Sequence, residues 1–479
     1  MYSRAESPLP GSALMLAAAV VLSAVLVVVI GRDSRAQPDI TLMMPSRVVI
    51  VGAGLGGASC AYHLKKQVPD AKVTILEAGD RTGGRIKDVE FFGRILNEGA
   101  AVYNSFQKNI AELVAELDVP TIRFTGDPLG AGNYVWDGHK LSEPRDLLIQ
   151  DPAAKAALEA TVKDFLVSLA LNYKATDERV FRSVGEFLKA GGLDVYTEQS
   201  AAKFFRDTPV SEAIQKYYLE PYTRIYFGQG LSSSAILTML SLSGTFEDGL
   251  KTEGGMSRLV EATLNAADCD VQLNSPVRMV TKTADGTFEV TYDQGKGHVT
   301  TPADVVVIAA PFEQTGIKFE GFKIDPAVDQ PIRQWQRLYY VKCCVAAKSL
   351  RASQFKEPEG ASPFNPTSVL TTANTSQPWV AIRSSGASRG YNLYSVYASE
   401  DLAESGRLQE IFEDVQDYKC YEWGYVYPIN PAMRHDGDYQ SMVLADRLYS
   451  LNGLESVATQ METAVTGGRN IAKLIAEEM

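Results

Sequence analysis

Residues Val48-Val49-Ile50-Val51 run directly into Gly52-Ala53-Gly54-Leu55-Gly56-Gly57, and no other stretch of the chain restricts its fold as much. A short apolar run of β-branched residues empties into G-x-G-x-x-G, and an apolar-periodic segment through Tyr62, Leu64 and Gln67 follows. The pattern predicts a strand, a tight turn and a helix. In such a turn Gly52 makes the reversal and Gly54 lets a pyrophosphate approach the backbone. Gly57 lets helix and strand pack closely while the helix N-terminus faces the phosphates. Ala53 and Gly56 complete the loop. A second predicted strand, Lys72 to Leu76, ends on Glu77, 25 positions beyond Gly52. An acid there accepts hydrogen bonds from a ribose and repels a 2′-phosphate, so the loop predicts a dinucleotide other than NADP.

The segment Glu77-Ala78-Gly79-Asp80-Arg81-Thr82-Gly83-Gly84-Arg85 resembles the GGR segment of flavoproteins of the amine oxidase and desaturase superfamily. The resemblance implies FAD, with Glu77, Ala78, Gly84 and Arg85 around it. It also implies that Arg85 reaches the pyrophosphate or its neighbourhood; a solvated loop arginine is the alternative. Asn97 to Tyr103 then falls where the chain lines the flavin, through Ala100, Ala101, Val102 and Tyr103. In the same family a valine placed like Val277 meets the adenine through its backbone. The resemblance implies that the strand and helix near the C-terminus return to the flavin, with Gly453 near the ribityl-phosphate, Gln460 and Met461 near the ring, and Glu455 also among the cofactor-binding residues. A helix N-terminus there favours negative charge on the flavin.

At 479 residues the chain is too long for one core and suits two intimately packed domains. A net charge of −12 and the lack of any basic run argue against a nucleic-acid partner. The 18 residues Ala13 to Ile30 are apolar except for Ser23, long enough to span a bilayer. They favour a membrane anchor or uncleaved signal, although Ser34-Arg35-Ala36 also fits a cleavage site. Cys60, Cys269, Cys343, Cys344 and Cys420 show no C-x-x-C and no even framework, so they are expected to be buried thiols, silent about the redox compartment. Four scattered histidines imply no metal.

Helical periodicity is expected from Ile110 to Leu117 and from Leu158 to Leu169, with a strand and turn at Asn133 to Lys140 between them. Tyr218, Tyr222 and Tyr226 fall four apart and share a helix face, read as a core stripe rather than a substrate wall. Strands are expected at Val271 to Leu273, Val277 to Thr281, Thr287 to Tyr292 and Asp304 to Ala309, with a hairpin turn at Asp285-Gly286. A final helix is expected from about Ser456 to Met479. The fold class is therefore α/β, a discontinuous Rossmann-like FAD-binding domain with an interwoven α+β substrate domain. Its parts run 46–105, 251–320 and 443–479 for the cofactor and 106–250 and 321–442 for the substrate, after an N-terminal segment 1–45. No second G-x-G-x-x-G is present, so electrons are expected to come from an organic substrate and leave to oxygen or another acceptor, which favours an oxidase.

Four stretches carry a closer resemblance: Val51 to Gly57, Pro221-x-x-Arg224 to Gly228-Gln229, Val369-Leu370-Thr371-Thr372, and Asp446 to Glu455. Together they look like prenylcysteine oxidase, over about Ser46 to the C-terminus. That resemblance implies oxidation of an S-prenylcysteine with FAD and oxygen to cysteine, a prenyl aldehyde and hydrogen peroxide, in a lysosomal or other endomembrane compartment. It implies no catalytic triad, and leaves Arg224 as a weak candidate polar anchor and Tyr226 as a second candidate. Two alternatives remain: another flavin oxidase or desaturase acting on an amine or isoprenoid, and a non-enzymatic membrane-held subunit that keeps FAD as a structural element.

Overall fold

The computed structural model describes residues 46–124, 132–246, 249–325, 328, 336–356, 363–433 and 439–479. The apolar run Ala13 to Ile30 lies outside them, and no helix among the described residues is long and apolar enough to cross a membrane. The chain opens with β1 (Arg47–Val51), α1 (Leu55–Gln67) and β2 (Lys72–Leu76), as the glycine loop predicts. Then come α2 (Lys108–Glu116), β3 (Asn133–Trp136), β4 (Leu141–Ser142), α3 (Pro152–Glu178) and α4 (Glu220–Phe227). Strands β5 (Asp270–Gln272), β6 (Val277–Lys282), β7 (Phe288–Gln294), β8 (Gly297–Ala303), β9 (Val305–Ile308) and β10 (Lys318–Glu320) follow. Next are β11 (Arg337–Ala347), β12 (Ser368–Thr371), β13 (Trp379–Ser388), β14 (Tyr391–Ala398) and β15 (Asp417–Pro428). The chain closes with β16 (Val443–Ala445), β17 (Leu448–Ser450) and α5 (Met461–Glu478).

Among the described residues the strands form one six-stranded sheet in the order β5-β2-β1-β9-β17-β16, one four-stranded sheet β8-β7-β6-β10, and one seven-stranded sheet β15-β11-β14-β13-β12-β3-β4, besides smaller pairings. The first is parallel from β5 to β17, with Ile50 opposite both Ile75 and Val307. Its strands come from widely separated parts of the chain, which makes the nucleotide-type layer discontinuous. Side chains alternate across a strand, and β1 uses both faces. Val48 and Ile50 join a core with Leu64, Val465, Ile471 and Ile475 of α1 and α5. Val49 and Val51 join a second core with Val280, Phe288 and Val290 of the four-stranded sheet. Each such side chain stabilises the fold by roughly 1.5–3 kcal/mol when fully buried, which is why a parallel strand read from the sequence as one unbroken apolar run settles at the centre.

Three expectations are corrected. First, Cys343 of β11 stands opposite Cys420 of β15 in register, and the two form a disulfide, leaving only Cys60, Cys269 and Cys344 as thiols. Their separation of 77 residues hides a pairing that exists only because the strands are neighbours. Disulfides persist in oxidising compartments, so the cysteines do bear on the compartment after all. Second, the last helix starts at Met461 rather than near Ser456. A 3₁₀ turn, Leu451–Ser456, comes first, and a reciprocal capping box between Gln460 and Thr463 sets the start of α5. Third, the tyrosine stripe holds for Tyr218 and Tyr222, which are buried with ring centroids 5.1 Å apart, whereas Tyr226 is 36% exposed.

Candidate active site

Parallel strands deliver their carboxyl ends to one side of a sheet, and ligands of open α/β folds bind there. Gly52 after β1, Glu77 after β2, Ala309-Ala310-Pro311 after β9 and Leu451-Asn452 after β17 all line one cavity of about 400 Å³. Arg85 and Ile86 and the pair Gly99-Ala100 close one end of it. Arg337 and Tyr340 of β11, with Trp423, Val426 and Tyr427 of β15, form the wall contributed by the seven-stranded sheet.

The floor of the cleft is the glycine loop. Gly52 has φ of +111°, open to glycine and strained for any other residue. A Cβ on Gly57 would lie 2.1 Å from the carbonyl oxygen of Gly52, so α1 and β1 touch at a distance only glycine permits. Ala53 N–H donates to Glu77 Oε2 (2.8 Å) and Gly79 N–H to Glu77 Oε1 (2.8 Å). Gly83 N–H donates to Ala53 O (2.9 Å), drawing the GGR segment against the loop. Gly468 of α5 packs against α1 so closely that a Cβ would sit 2.7 Å from Gly56 O. That contact brings the N-terminal ends of both helices, Leu55-Gly56 and Gln460-Met461, to the same cleft. A helix N-terminus is a ready anion site. Thr459 Oγ1, also in the lining, is buried with no hydrogen-bond partner. Glycines that admit a backbone-hugging diphosphate, a ribose-facing carboxylate with free lone pairs and an orphaned hydroxyl together fit a flavin dinucleotide.

A charge quartet is built into this wall. Arg85 pairs with Glu455 through both guanidinium nitrogens, and its Nη1 donates to Glu455 Oε2 at 3.2 Å. Arg337 donates to Glu455 Oε2 (3.0 Å), to Val426 O (2.8 Å) and, through Nε, to Glu313. Asn452 Nδ2 adds a bond to Glu455 Oε1 (3.1 Å). Burial alone would raise the pKa of Glu455, but Arg85 and Arg337 more than reverse it and hold the carboxyl below its ordinary range. Enclosure by protein pushes the Tyr427 hydroxyl up to about 12 and Tyr340 well above its ordinary value, so both phenols stay neutral.

The cleft gathers Gly52, Gly54, Gly56, Glu77, Gly84, Arg85, Ala100, Glu455, Gln460 and Met461 of the expected residues. Arg85, however, is engaged by Glu455 rather than held free for a diphosphate. Ala53 and Gly57 shape the loop from behind it. Ala78 is exposed beyond β2, Ala101 and Val102 are half-buried, and none of the three lines the cleft. Tyr103 is buried in a short strand pairing with Leu250. Val277 belongs to the core between the two smaller sheets. Gly453 faces away, towards Val184 and Gln440, because the 3₁₀ turn points Asn452 and Glu455 inward and the residue after Asn452 outward. Arg224 lines a neighbouring cavity that shares Tyr340 and Tyr427 with the cleft, and Tyr226 lines neither. The sequence reading missed Arg337, Tyr340, Trp423 and Tyr427, which no local motif marks. Ala309 to Pro311 could have been found, since they follow a buried parallel strand as Gly52 does.

A family model described as prenylcysteine lyase matches residues 153–479, and one described as an NAD(P)-binding Rossmann-like domain matches residues 50–117. The chain is 25% identical to prenylcysteine oxidase 1 of Rattus norvegicus, with 93% of this chain and 91% of that one covered. It is 23% identical to farnesylcysteine lyase of Arabidopsis thaliana, with 90% and 88% covered. Among solved structures it resembles a triple mutant of putrescine oxidase, with a TM-score of 0.65 at 15% identity, covering 91% of this chain and 99% of that one. Cyclohexylamine oxidase from Brevibacterium oxydans gives 0.60 at 16%, covering 91% and 99%. The fold is that of the flavin-dependent oxidoreductases, and its cofactor is FAD.

Proposed function

Because this chain belongs to the prenylcysteine lyase family, we propose that it is a thioether oxidase that converts an S-prenyl-L-cysteine, oxygen and water into a prenyl aldehyde, cysteine and hydrogen peroxide. FAD, when bound, supplies the two-electron acceptor for the hydride lost from the allylic carbon beside sulfur. The observation that carries the reading on the protein side is that the two carboxylates among the described residues lining the cleft are both engaged by protein donors. Glu77 accepts two backbone N–H groups, Glu455 is clamped by two arginines, and the tyrosines stay protonated. Chemistry that starts by proton abstraction needs a positioned acceptor. Loss of hydride from a carbon between sulfur and a double bond needs none, because those neighbours spread the positive charge; water then adds and the hemithioacetal collapses. The protein has to orient that carbon, a task that a wall of Tyr340, Trp423 and Tyr427 suits.

With S-farnesyl-L-cysteine in air, the protein is expected to release cysteine, farnesal and hydrogen peroxide in equal amounts, measured by thiol titration, chromatography and a peroxidase-coupled assay. Release of cysteine without peroxide, or accumulation of a sulfoxide, would overturn the reading.

A further inference from the structure

We propose that the cavity beside the cleft is the subsite for the α-carboxylate of the substrate, and that Arg224 is the residue that binds it. The inference rests on the thioether-oxidase reading and adds a determinant of specificity to it.

The cavity measures about 280 Å³ and is walled by aromatic rings and the chain around Gln377 to Val380. Tyr340 and Tyr427 belong to both this cavity and the cofactor cleft, so the two adjoin at this pair of rings. Arg224 enters from α4. Its surroundings differ from those of the two arginines of the charge quartet. Among the described residues no carboxylate lies within ion-pair distance of it, and its side chain makes there only one hydrogen bond, a long one from Nη2 to Thr371 Oγ1 at 3.3 Å. Its Nε is buried with no partner. Glu220, one helical turn earlier, is turned towards the backbone N–H of Ala373, which donates to its Oε2 at 2.9 Å. Burial lowers the pKa of Arg224, and the charge of Glu220 offsets this only in part.

A guanidinium has five N–H donors in a planar fork that matches a carboxylate. A single fork suits a monoanion; a phosphate dianion would call for a second cation, and no other Arg or Lys among the described residues lines this cavity. Tyr340 stands edge-on to Tyr427 at 5.1 Å and 6.4 Å from Tyr397, and the Tyr397 ring already carries the Lys342 ammonium 4.9 Å from its centroid. The cavity therefore supplies a cation for the carboxylate, with the thioether carbon reaching back past the shared tyrosines.

The test uses the FAD-loaded protein and two probes that have no allylic carbon: S-dodecyl-L-cysteine, and 2-(dodecylthio)ethylamine, which lacks only the carboxylate. Affinity is read from calorimetry and from perturbation of the flavin absorbance band. The wild type should bind the amine roughly 10- to 100-fold more weakly, the range for one charge-assisted contact. In Arg224→Gln that ratio should fall towards one, and in Arg224→Lys it should be partly restored. Equal affinities in the wild type, which need no variant to fold, would overturn the subsite, as would an unchanged ratio in Arg224→Gln. Turnover of farnesylcysteine by the same preparation separates the two claims. Turnover with equal probe affinities sinks the subsite alone, whereas a carboxylate-dependent ratio without turnover supports the subsite and sinks the reaction.

Discussion

Gly57→Ala protein should purify colourless. The added Cβ would lie 2.1 Å from Gly52 O and 3.3 Å from the Ala309 side chain, and neither can retreat. Gly52 is fixed by its own N–H, which donates to Leu76 O at 2.8 Å, and by a backbone conformation at φ +111°. The methyl group must therefore push α1 off β1, moving the helix N-terminus away from where a pyrophosphate would lie. Overpacking usually costs about 1–3 kcal/mol, and a clash with backbone belongs at or beyond the top of that range, so FAD affinity should fall about 100-fold or more. Gly297→Ala is the control, since nothing lies within 4 Å of a Cβ there. The ratio of flavin to protein absorbance after gel filtration decides it. A yellow Gly57→Ala protein with the wild-type ratio would contradict the loop geometry.

Replacing Glu455 by Gln should destabilise the protein by about 3 kcal/mol at pH 7. Breaking a buried pair by removing one partner typically costs about 3–5 kcal/mol, because a charge is left uncompensated. The low end applies here: Arg337 is 3% exposed but Arg85 is 33% exposed and can still reach water, and Glu313 remains for Arg337. The pH dependence has a definite sign. The carboxyl of Glu455 is held below its unfolded value of about 4.3, so its contribution is fully present above that pH and is lost as pH falls towards the folded value. Urea denaturation of both proteins should therefore show a gap at pH 7 that narrows below about pH 4.3. A gap under 1 kcal/mol at pH 7, or one that widens in acid, would show that the quartet does not hold the wall as described.

The parts legible in the sequence were those governed by local periodicity. The turn at Gly52, the helix to Gln67 and the strand ending on Glu77 follow from residues within a single supersecondary unit, and they place the cleft. Residues such as Arg337, Tyr340 and Tyr427 were hidden because their facing depends on β11 and β15 being neighbours, a pairing between segments some 80 residues apart. The Cys343–Cys420 disulfide was hidden for the same reason. Gly453 shows a subtler failure. It lies in the right segment, yet a 3₁₀ turn replaces the expected first turn of helix, and rotation by one residue exchanges Asn452 and Glu455 for Gly453 at the cleft. Arg85 lines the cleft, and its pairing with Glu455 could not be read from the sequence, since nothing near it announces a partner 370 residues away.

An anaerobic absorbance titration of the purified protein with farnesylcysteine, followed by readmission of air, tests the central claim most directly. The flavin band should bleach in proportion to added substrate and return with oxygen, one peroxide for each cycle. A bound flavin that farnesylcysteine leaves oxidised would contradict the thioether-oxidase account while leaving the fold and its cofactor cleft in place.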